Sequence, residues 1–292
     1  MLLVVAESSG SSPGRAGYKM AVAENGELVG SIGGGVMEVE LVEQAKTSGS
    51  LSTDLVQQEH RKNAVHPSGM ICSGEQTVIL KQLSNADLAA VEAAANNSRD
   101  VLTVTANTFA VEPSKRDLPS VEFGRKSETE LKYRERLGPK NNLIVIGGGH
   151  CALALSELMS RMDFHIHIFD DRPELNTIEK NNFADEITII DGYDAIAAAV
   201  PNDKNTYVAV MTLGYKTDAV VIRQLADRDF RYFGVLGSKA KMATLMRELH
   251  AEGFDPERLA RIRTPIGIPI NSHTPEEIAV SIAAEIISVK NS

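Results

Sequence analysis

From residue 143 to the end of the chain, short apolar runs alternate with longer stretches whose apolar residues recur every three or four positions. The runs at 143–146, 164–169, 187–190, 207–212 and 231–236 are of strand length and rich in β-branched and aromatic residues. Between them, 151–162, 193–199, 218–227 and 239–250 carry helical spacing. Strands separated by helices pair in parallel, with the crossover helices covering the sheet. The fold class that follows is α/β: a Rossmann-like parallel sheet with helices on both faces. A final helix is signalled by Thr274 as N-cap, Pro275 at the first helical position and Glu277 completing a capping box. Ile278, Ile282 and Ile286 then repeat along one face.

The first part of the chain is less regular. Residues 2–6 read as a strand and 8–17, rich in Ser, Gly and Pro, as a loop. Segments 18–23 and 27–30 flank Asn25-Gly26, a hairpin signal because both residues tolerate positive φ. A second Gly-rich loop at 31–35 leads into helical spacing over 36–46. A strand at 76–83, an Ala-rich helix at 87–95 and a strand at 101–105 complete a smaller α+β domain, expected over 1–110. Residues 111–140 are charged and broken by Pro113, Pro119 and Pro139, and read as a linker or flap before a Rossmann-like domain at 141–292.

The strand at 143–146 runs straight into Gly147-Gly148-Gly149-His150-Cys151-Ala152 and a helix. In this context a G-x-G-x-x-A pattern has a mechanism. Gly147 permits the tight turn, Gly149 lets a phosphate approach the backbone, and Ala152 lets helix and strand pack closely. The helix N-terminus offers free N–H groups and a positive dipole end to an anion. The next strand ends at Asp170, where a dinucleotide-binding fold places the acid that takes a ribose diol, and Arg172 follows. The plainer alternative is a Gly-rich turn that only packs a helix on a sheet. His150, at the helix start, either meets a ligand or fills the turn. Cys151 lies where a thiolate is favoured, and is either a functional thiol or a small buried residue.

Two further loops follow strands in the first part: Ser9-Gly10-Ser11-Ser12-Pro13-Gly14-Arg15 and Ser31-Ile32-Gly33-Gly34-Gly35, with Glu38 in the helix after the second. Backbone N–H groups in such loops form anion nests, and Arg15 is a phosphate partner by chemistry. Read on their own, both loops are equally served by tight β-connections. Cys72 lies in a third small-residue loop at 69–74. His66 and Cys72 lack the spacing and partners of a zinc site, and His165 and His167 read as packing residues, so no metal site is expected. There is no G-x-S-x-G elbow, no Walker motif and no H-E-x-x-H, and no catalytic residue is assigned.

A net charge of −9 argues against general nucleic-acid binding, which needs a basic footprint. Two cysteines imply no disulfide framework and fit a reducing cytoplasm. No apolar run spans a bilayer, so no membrane role is expected.

Together these motifs resemble the XdhC/CoxI family, the accessory proteins of xanthine dehydrogenase and related molybdenum hydroxylases. The resemblance covers nearly the whole chain. It rests on Ser9-Gly10-Ser11-Ser12-Pro13, on Gly30-Ser31-Ile32-Gly33-Gly34-Gly35 with Glu38, and on Leu137-Gly138-Pro139-Lys140 leading to Gly147-Gly148-Gly149-His150. It continues in Asp170-Asp171-Arg172-Pro173-Glu174, Gly234-Val235-Leu236-Gly237-Ser238-Lys239, Thr264-Pro265-Ile266-Gly267 and Thr274-Pro275-Glu276-Glu277.

The resemblance implies a carrier that binds the molybdenum cofactor, shields it while its sulfido ligand is installed, and delivers it to an apo molybdenum hydroxylase. A cysteine desulfurase and a homodimeric state belong to the same expectation. The cofactor-binding set it suggests is Gly147, Gly148, Gly149, His150 and Asp170 with Ser12, Arg15, Gly33, Gly34, Gly35 and Glu38. Cys72 and Cys151 are candidates for a sulfur contact. Three departures stand out. Val36 occupies a position where many members carry Cys, Leu213-Gly214-Tyr215-Lys216 lacks the His many members have there, and the chain begins at the first strand without a leading helix. The competing reading is an NAD(P)-dependent oxidoreductase using Gly147, Gly149 and Asp170, although no proton-transfer group is evident in the first part. A scaffold without cofactor is the third. The crevice at the C-terminal sheet edge is the expected site, with the first domain closing over it.

Overall fold

The computed structural model describes residues 1–47, 53–60, 74–96, 100–114, 119–127 and 130–292, apart from the side chains of Glu59 and His60. It divides into two compact units, Met1–Gly138 and Pro139–Ser292.

The first unit is built on β1 (Leu2–Gly10), β2 (Lys19–Val22), β3 (Leu28–Gly30), α1 (Gly35–Thr47), β4 (Thr53–His60) and β5 (Gly74–Lys81). The strands form one antiparallel sheet in the order β3-β2-β1-β5-β4. After α2 (Leu88–Ala95), β6 (Val101–Thr105), β7 (Phe109–Glu112), β8 (Val121–Arg125) and β9 (Leu131–Arg136) form a second antiparallel sheet, ordered β7-β6-β9-β8. Strand geometry sends successive side chains to opposite faces, so β1 serves two cores. Leu3 and Val5 pack with Ile32, Leu41 and Val42 on the α1 side. Val4 and Ala6 pack with Leu102, Val104 and Tyr133 of the second sheet.

Two expectations change here. Residues 8–10, read as loop, continue β1 and pair with 74–76, so the loop starts at Ser11. Residues 111–140, read as a linker or flap, carry strand: β8 and β9 pair from Val121↔Glu135 to Arg125↔Leu131. In β9, Leu131, Tyr133 and Glu135 are buried while Lys132, Arg134 and Arg136 face outward. A period-two alternation with charges on one face has a hydrophilic composition and still forms a half-buried strand. The Tyr133 hydroxyl, fully buried, donates to Glu135 Oε2 at 2.7 Å, and Lys19 reaches the same carboxylate at 2.5 Å. The divide between units falls at Gly138 and Pro139, beyond this hairpin.

The second unit alternates as its sequence pattern predicts: β10 (Asn141–Ile146), α3 (His150–Met159), β11 (Phe164–Asp170), α4 (Asn176–Glu179), β12 (Glu186–Ile189), α5 (Ile196–Ala199), β13 (Thr206–Val210), α6 (Tyr215–Leu225), β14 (Tyr232–Val235), α7 (Lys239–Ala251), α8 (Pro256–Leu259) and α9 (Pro275–Lys290). All five strands are parallel, in the order β12-β11-β10-β13-β14. A parallel bridge from Gly234 to Arg263 extends the sheet beyond β14. Leu143 and Val145 pack against α3 and α9, through Leu155, Met159, Ile282 and Ile286. Ile144 and Ile146 pack against α6 and α7, through Val221, Ile222, Leu245 and Leu249. The central strands are therefore apolar on both faces, the reason they read as unbroken hydrophobic runs. The architecture is an α/β Rossmann-like unit with helices on both faces, preceded by a smaller α+β unit. Thr274 accepts from the Glu277 N–H and the Glu277 side chain returns to the Thr274 N–H, closing the predicted capping box.

Candidate functional site

The strand order reverses between β10 and β13, whose helices α3 and α6 depart to opposite faces of the sheet. A crevice opens at such a point beyond the C-terminal strand ends. Residues 147–149 form one lip and residues 211–214 the other.

The three glycines of the first lip have different reasons to be glycine. Gly147 has φ +107°, and a Cβ there would lie 2.3 Å from the Met211 carbonyl oxygen. At Gly148 a Cβ would meet the Ile178 side chain at 2.7 Å; its N–H donates to Asp170 Oδ2 at 2.6 Å, and its carbonyl accepts from Thr177 Oγ1 at 2.5 Å. Both are held by the protein itself. Gly149 is not. Its φ of −69° suits any residue, and a Cβ would have nothing within 4 Å. Among the described residues no contact asks for glycine here, whereas a phosphate drawn against the backbone does. Gly149 is also the N-cap of α3 and supplies no side-chain cap, so the first-turn N–H groups face the crevice without one. Ala152 is fully buried in the helix–sheet contact. On the other lip, Gly214 is extended with no neighbour for a Cβ, and Leu213 is 75% exposed.

Asp170 sits where the motif places it, at the end of β11, but its carboxylate is already engaged. Oδ1 accepts from the Arg172 backbone N–H at 2.9 Å and from Nε at 2.8 Å. Oδ2 accepts from the Gly148 N–H at 2.6 Å and from Arg172 Nη2 at 2.7 Å. A carboxylate has about four lone-pair directions, and here four donors use them. Burial works to raise the Asp170 pKa, but the bonds from Arg172 and the Gly148 N–H outweigh it and hold the group below the usual carboxylate value. The residue is fully buried. Through these bonds Asp170 pins the glycine loop to the turn after β11.

His150 is exposed at the helix start, so it does not fill the turn. Cys151 is half-buried, and burial, with the nearby Glu276 carboxylate, pushes its thiol pKa up. At this helix N-terminus desolvation and a negative neighbour both oppose the thiolate charge. Cys72, the other sulfur candidate, lies outside the described residues, as does His66. A buried acid escaped the sequence reading: Asp218, in the first turn of α6, accepts from Thr212 Oγ1 at 2.6 Å. Burial raises its pKa in spite of that bond. An acidic residue in a first helical turn is commonplace, so nothing in the sequence marked it.

The glycine loops of the first unit are organised from within. A Cβ at Gly33 would fall 2.4 Å from Gly14 N, one at Gly14 2.2 Å from Ile32 O, and one at Gly74 2.3 Å from Ser12 N. The loops therefore meet backbone to backbone. Glu38 Oε2 accepts from Ser31 Oγ at 2.8 Å, Ile32 N at 2.9 Å and Gly34 N at 3.0 Å. Burial alone would raise the Glu38 pKa, but these bonds lower it. The chain's own carboxylate thus takes two backbone N–H groups of this loop, those of Ile32 and Gly34. Ser12 is buried, its hydroxyl donating to Gln76 Oε1 at 2.9 Å within a chain that continues to Gln58 and the Met37 carbonyl. Arg15 is exposed and donates to Gly10 O at 3.2 Å. Among the described residues no three His, Cys, Asp or Glu side chains form a group able to hold a metal ion, and no helix is long and apolar enough to cross a membrane.

Comparison with known proteins gives this geometry a lineage. An Escherichia coli (strain K12) protein named uncharacterized protein YqeB is 23% identical over 98% of this chain; the chain spans 43% of that relative's length. A Bacillus subtilis (strain 168) protein, named as a probable subunit of xanthine dehydrogenase, is 23% identical over 99% of this chain and 93% of its own. The E. coli (strain K12) protein named molybdenum cofactor insertion chaperone PaoD is 22% identical over 99% of this chain and 83% of its own. A crystal structure of a Bacillus halodurans protein described as a xanthine dehydrogenase has the same fold, with a TM-score of 0.71 at 24% identity, covering 99% of this chain and 91% of that one. Residues 1–55 match the XdhC and CoxI family and residues 143–286 match the XdhC Rossmann domain. With both of its units matched, the chain belongs to the XdhC and CoxI family.

Proposed function

We propose that this protein is a maturation factor that binds the molybdenum cofactor and delivers it, after sulfuration, to a molybdenum hydroxylase of the xanthine dehydrogenase type. The observation that carries the reading is Gly149, a glycine with no partner of its own at the uncapped N-terminus of α3. The molybdenum cofactor carries a phosphate, and this cradle fits that end of the molecule. Its metal–dithiolene centre supplies the redox chemistry of the hydroxylase it enters. The chain's own part is to bind and to shield. Backbone N–H groups of α3 hold the phosphate, Asp170 and Arg172 fix the loop, and His150 and Leu213 stand exposed at the two lips. The names of the B. subtilis and E. coli relatives support a partnership with such a hydroxylase. A cysteine desulfurase as sulfur source, a homodimeric state and a cytoplasmic location complete the proposal.

The second reading, an NAD(P)-dependent oxidoreductase, draws on the same G-x-G-x-x-A turn. The engagement of Asp170 by Arg172 speaks against it, since the diol-binding acid has no acceptor site left. Equilibrium binding of the purified protein to molybdenum cofactor, NAD(H) and NADP(H) in parallel separates the two. Selective binding of the pterin is expected. Tight binding of a nicotinamide nucleotide with no pterin affinity would overturn the proposal.

A further inference from the structure

A second concave site lies at the other edge of the Rossmann-like sheet. A cavity of about 460 Å³ is lined by Arg228, Arg231, Arg258, Arg261 and Arg263, with Asp229 the one acid among the described lining residues. These are five of the chain's 16 arginines, gathered in a protein of net charge −9. Arg228 and Arg231 precede β14, and Arg258 and Arg261 precede the bridge at Arg263, so the cavity sits where the strands begin. The glycine crevice lies where they end, and the two sites are distinct.

Several of the guanidinium groups are anchored by part of their donors. Arg228 Nη1 donates to Val200 O at 2.7 Å, and Arg231 Nη2 to Val289 O and Ser292 O, both at 3.0 Å. Arg258 Nη1 donates to Asp227 O at 2.5 Å, and Arg263 Nη1 to Glu285 Oε1 at 3.2 Å. A guanidinium has five N–H donors in a rigid fork, so one such bond orients the group and leaves others for a ligand. The acids nearby engage the arginines unequally, and among the described residues only the Glu285 carboxylate comes within hydrogen-bonding distance, on Arg263. Asp229 stands 3.8 Å from both Arg258 and Arg261, and Asp227 3.9 Å from Arg258, beyond hydrogen-bonding distance. The Arg261 side chain remains 70% exposed.

Five guanidinium groups around the cavity stand against three nearby carboxylates, Asp227, Asp229 and Glu285, so positive charge remains in excess until an anion arrives. Carboxylates and phosphates both match the guanidinium fork, but a phosphate group brings up to two charges on one tetrahedral head and satisfies several forks at once. The volume falls in the range of small-molecule sites, roughly 300–1,000 Å³. We propose that this arginine-lined cavity binds a small phosphorylated ligand, independently of the glycine crevice.

Titration calorimetry with inorganic pyrophosphate tests this. It is run on the wild-type protein and on Gly149→Asp, which blocks the crevice. Binding that persists in Gly149→Asp, weakens roughly tenfold in Arg261→Ala and falls with added salt is the expected result. Because Arg261 is mostly exposed, its removal does not put folding at stake; Arg258→Ala, checked by circular dichroism, provides a second variant. Absence of pyrophosphate binding in Gly149→Asp, or an affinity unchanged in both arginine variants, would overturn the proposal. So would binding of an oligoglutamate peptide or a single-stranded oligonucleotide without binding of pyrophosphate, since the cavity would then be part of a macromolecular interface.

Discussion

Arg172 grips Asp170 with both ends of its fork, Nε to Oδ1 at 2.8 Å and Nη2 to Oδ2 at 2.7 Å, while the same carboxylate holds the Gly148 N–H. One buried acid thereby joins the glycine loop to the turn after β11. Arg172→Ala leaves this carboxylate buried without its counter-charge and without both side-chain donors, and is expected to cost roughly 2–3 kcal/mol. Arg172→Lys should recover only part of that, because an ammonium cannot reproduce the fork. Urea denaturation measures both; two variants as stable as the wild type would remove the role assigned to the pair.

Gly147 and Gly149 separate structure from binding. Gly147→Ala places a Cβ against the Met211 carbonyl in a left-handed conformation, and should destabilise by at least about 3 kcal/mol. Gly149→Asp meets no neighbour and puts a favoured N-cap residue at the start of α3. Its thermal midpoint should match or exceed that of the wild type while binding of molybdenum cofactor is lost, through steric block and a negative charge in the phosphate path. Unchanged affinity in a folded Gly149→Asp would sink the site.

Glu38 makes the loop at 31–35 sensitive to acid. Its folded pKa is lowered, so its contribution to stability is full above the ordinary carboxylate value of 4.5 and is lost as pH falls through the folded value. Glu38→Ala is expected to cost about 1–3 kcal/mol at neutral pH and to flatten the stability curve below pH 4.5. Chemical denaturation from about pH 3 to about pH 7 gives both quantities, and a curve parallel to the wild type would exclude this linkage.

Asp218 has the opposite sign. Its folded pKa is raised by burial, so ionising it weakens the fold as pH rises past the unfolded value of 3.8. Asp218→Asn keeps an acceptor for Thr212 and removes the buried charge. The variant should melt at a higher temperature than wild type at about pH 7, with the gain disappearing near about pH 3; a lower midpoint at neutral pH would mean the ionised acid is stabilised by contacts of another kind.

Pattern along the chain was enough for the Rossmann-like unit, since alternating strands and helices admit few parallel arrangements and the capping box at Thr274 depends on neighbours in sequence. It was also enough for the turn at Gly147, Gly148 and Gly149, whose chemistry is local. Other features depended on partners remote in sequence. The strands within 111–140 read as a charged linker because only pairing with β6 gives Leu131, Tyr133 and Glu135 an inside to face. Which glycines serve the protein and which are left for a ligand depended on Met211 and Ile178 approaching the loop. Spacing placed Asp170 at the strand end, but the fate of its lone pairs rested on the fold of the turn that carries Arg172. The arginines around the cavity at the strand starts come from two segments that only the packing of β14 beside Arg263 brings together. Local periodicity encodes elements and turns; the satisfaction of buried charge and the gathering of distant side chains are properties of the packed chain.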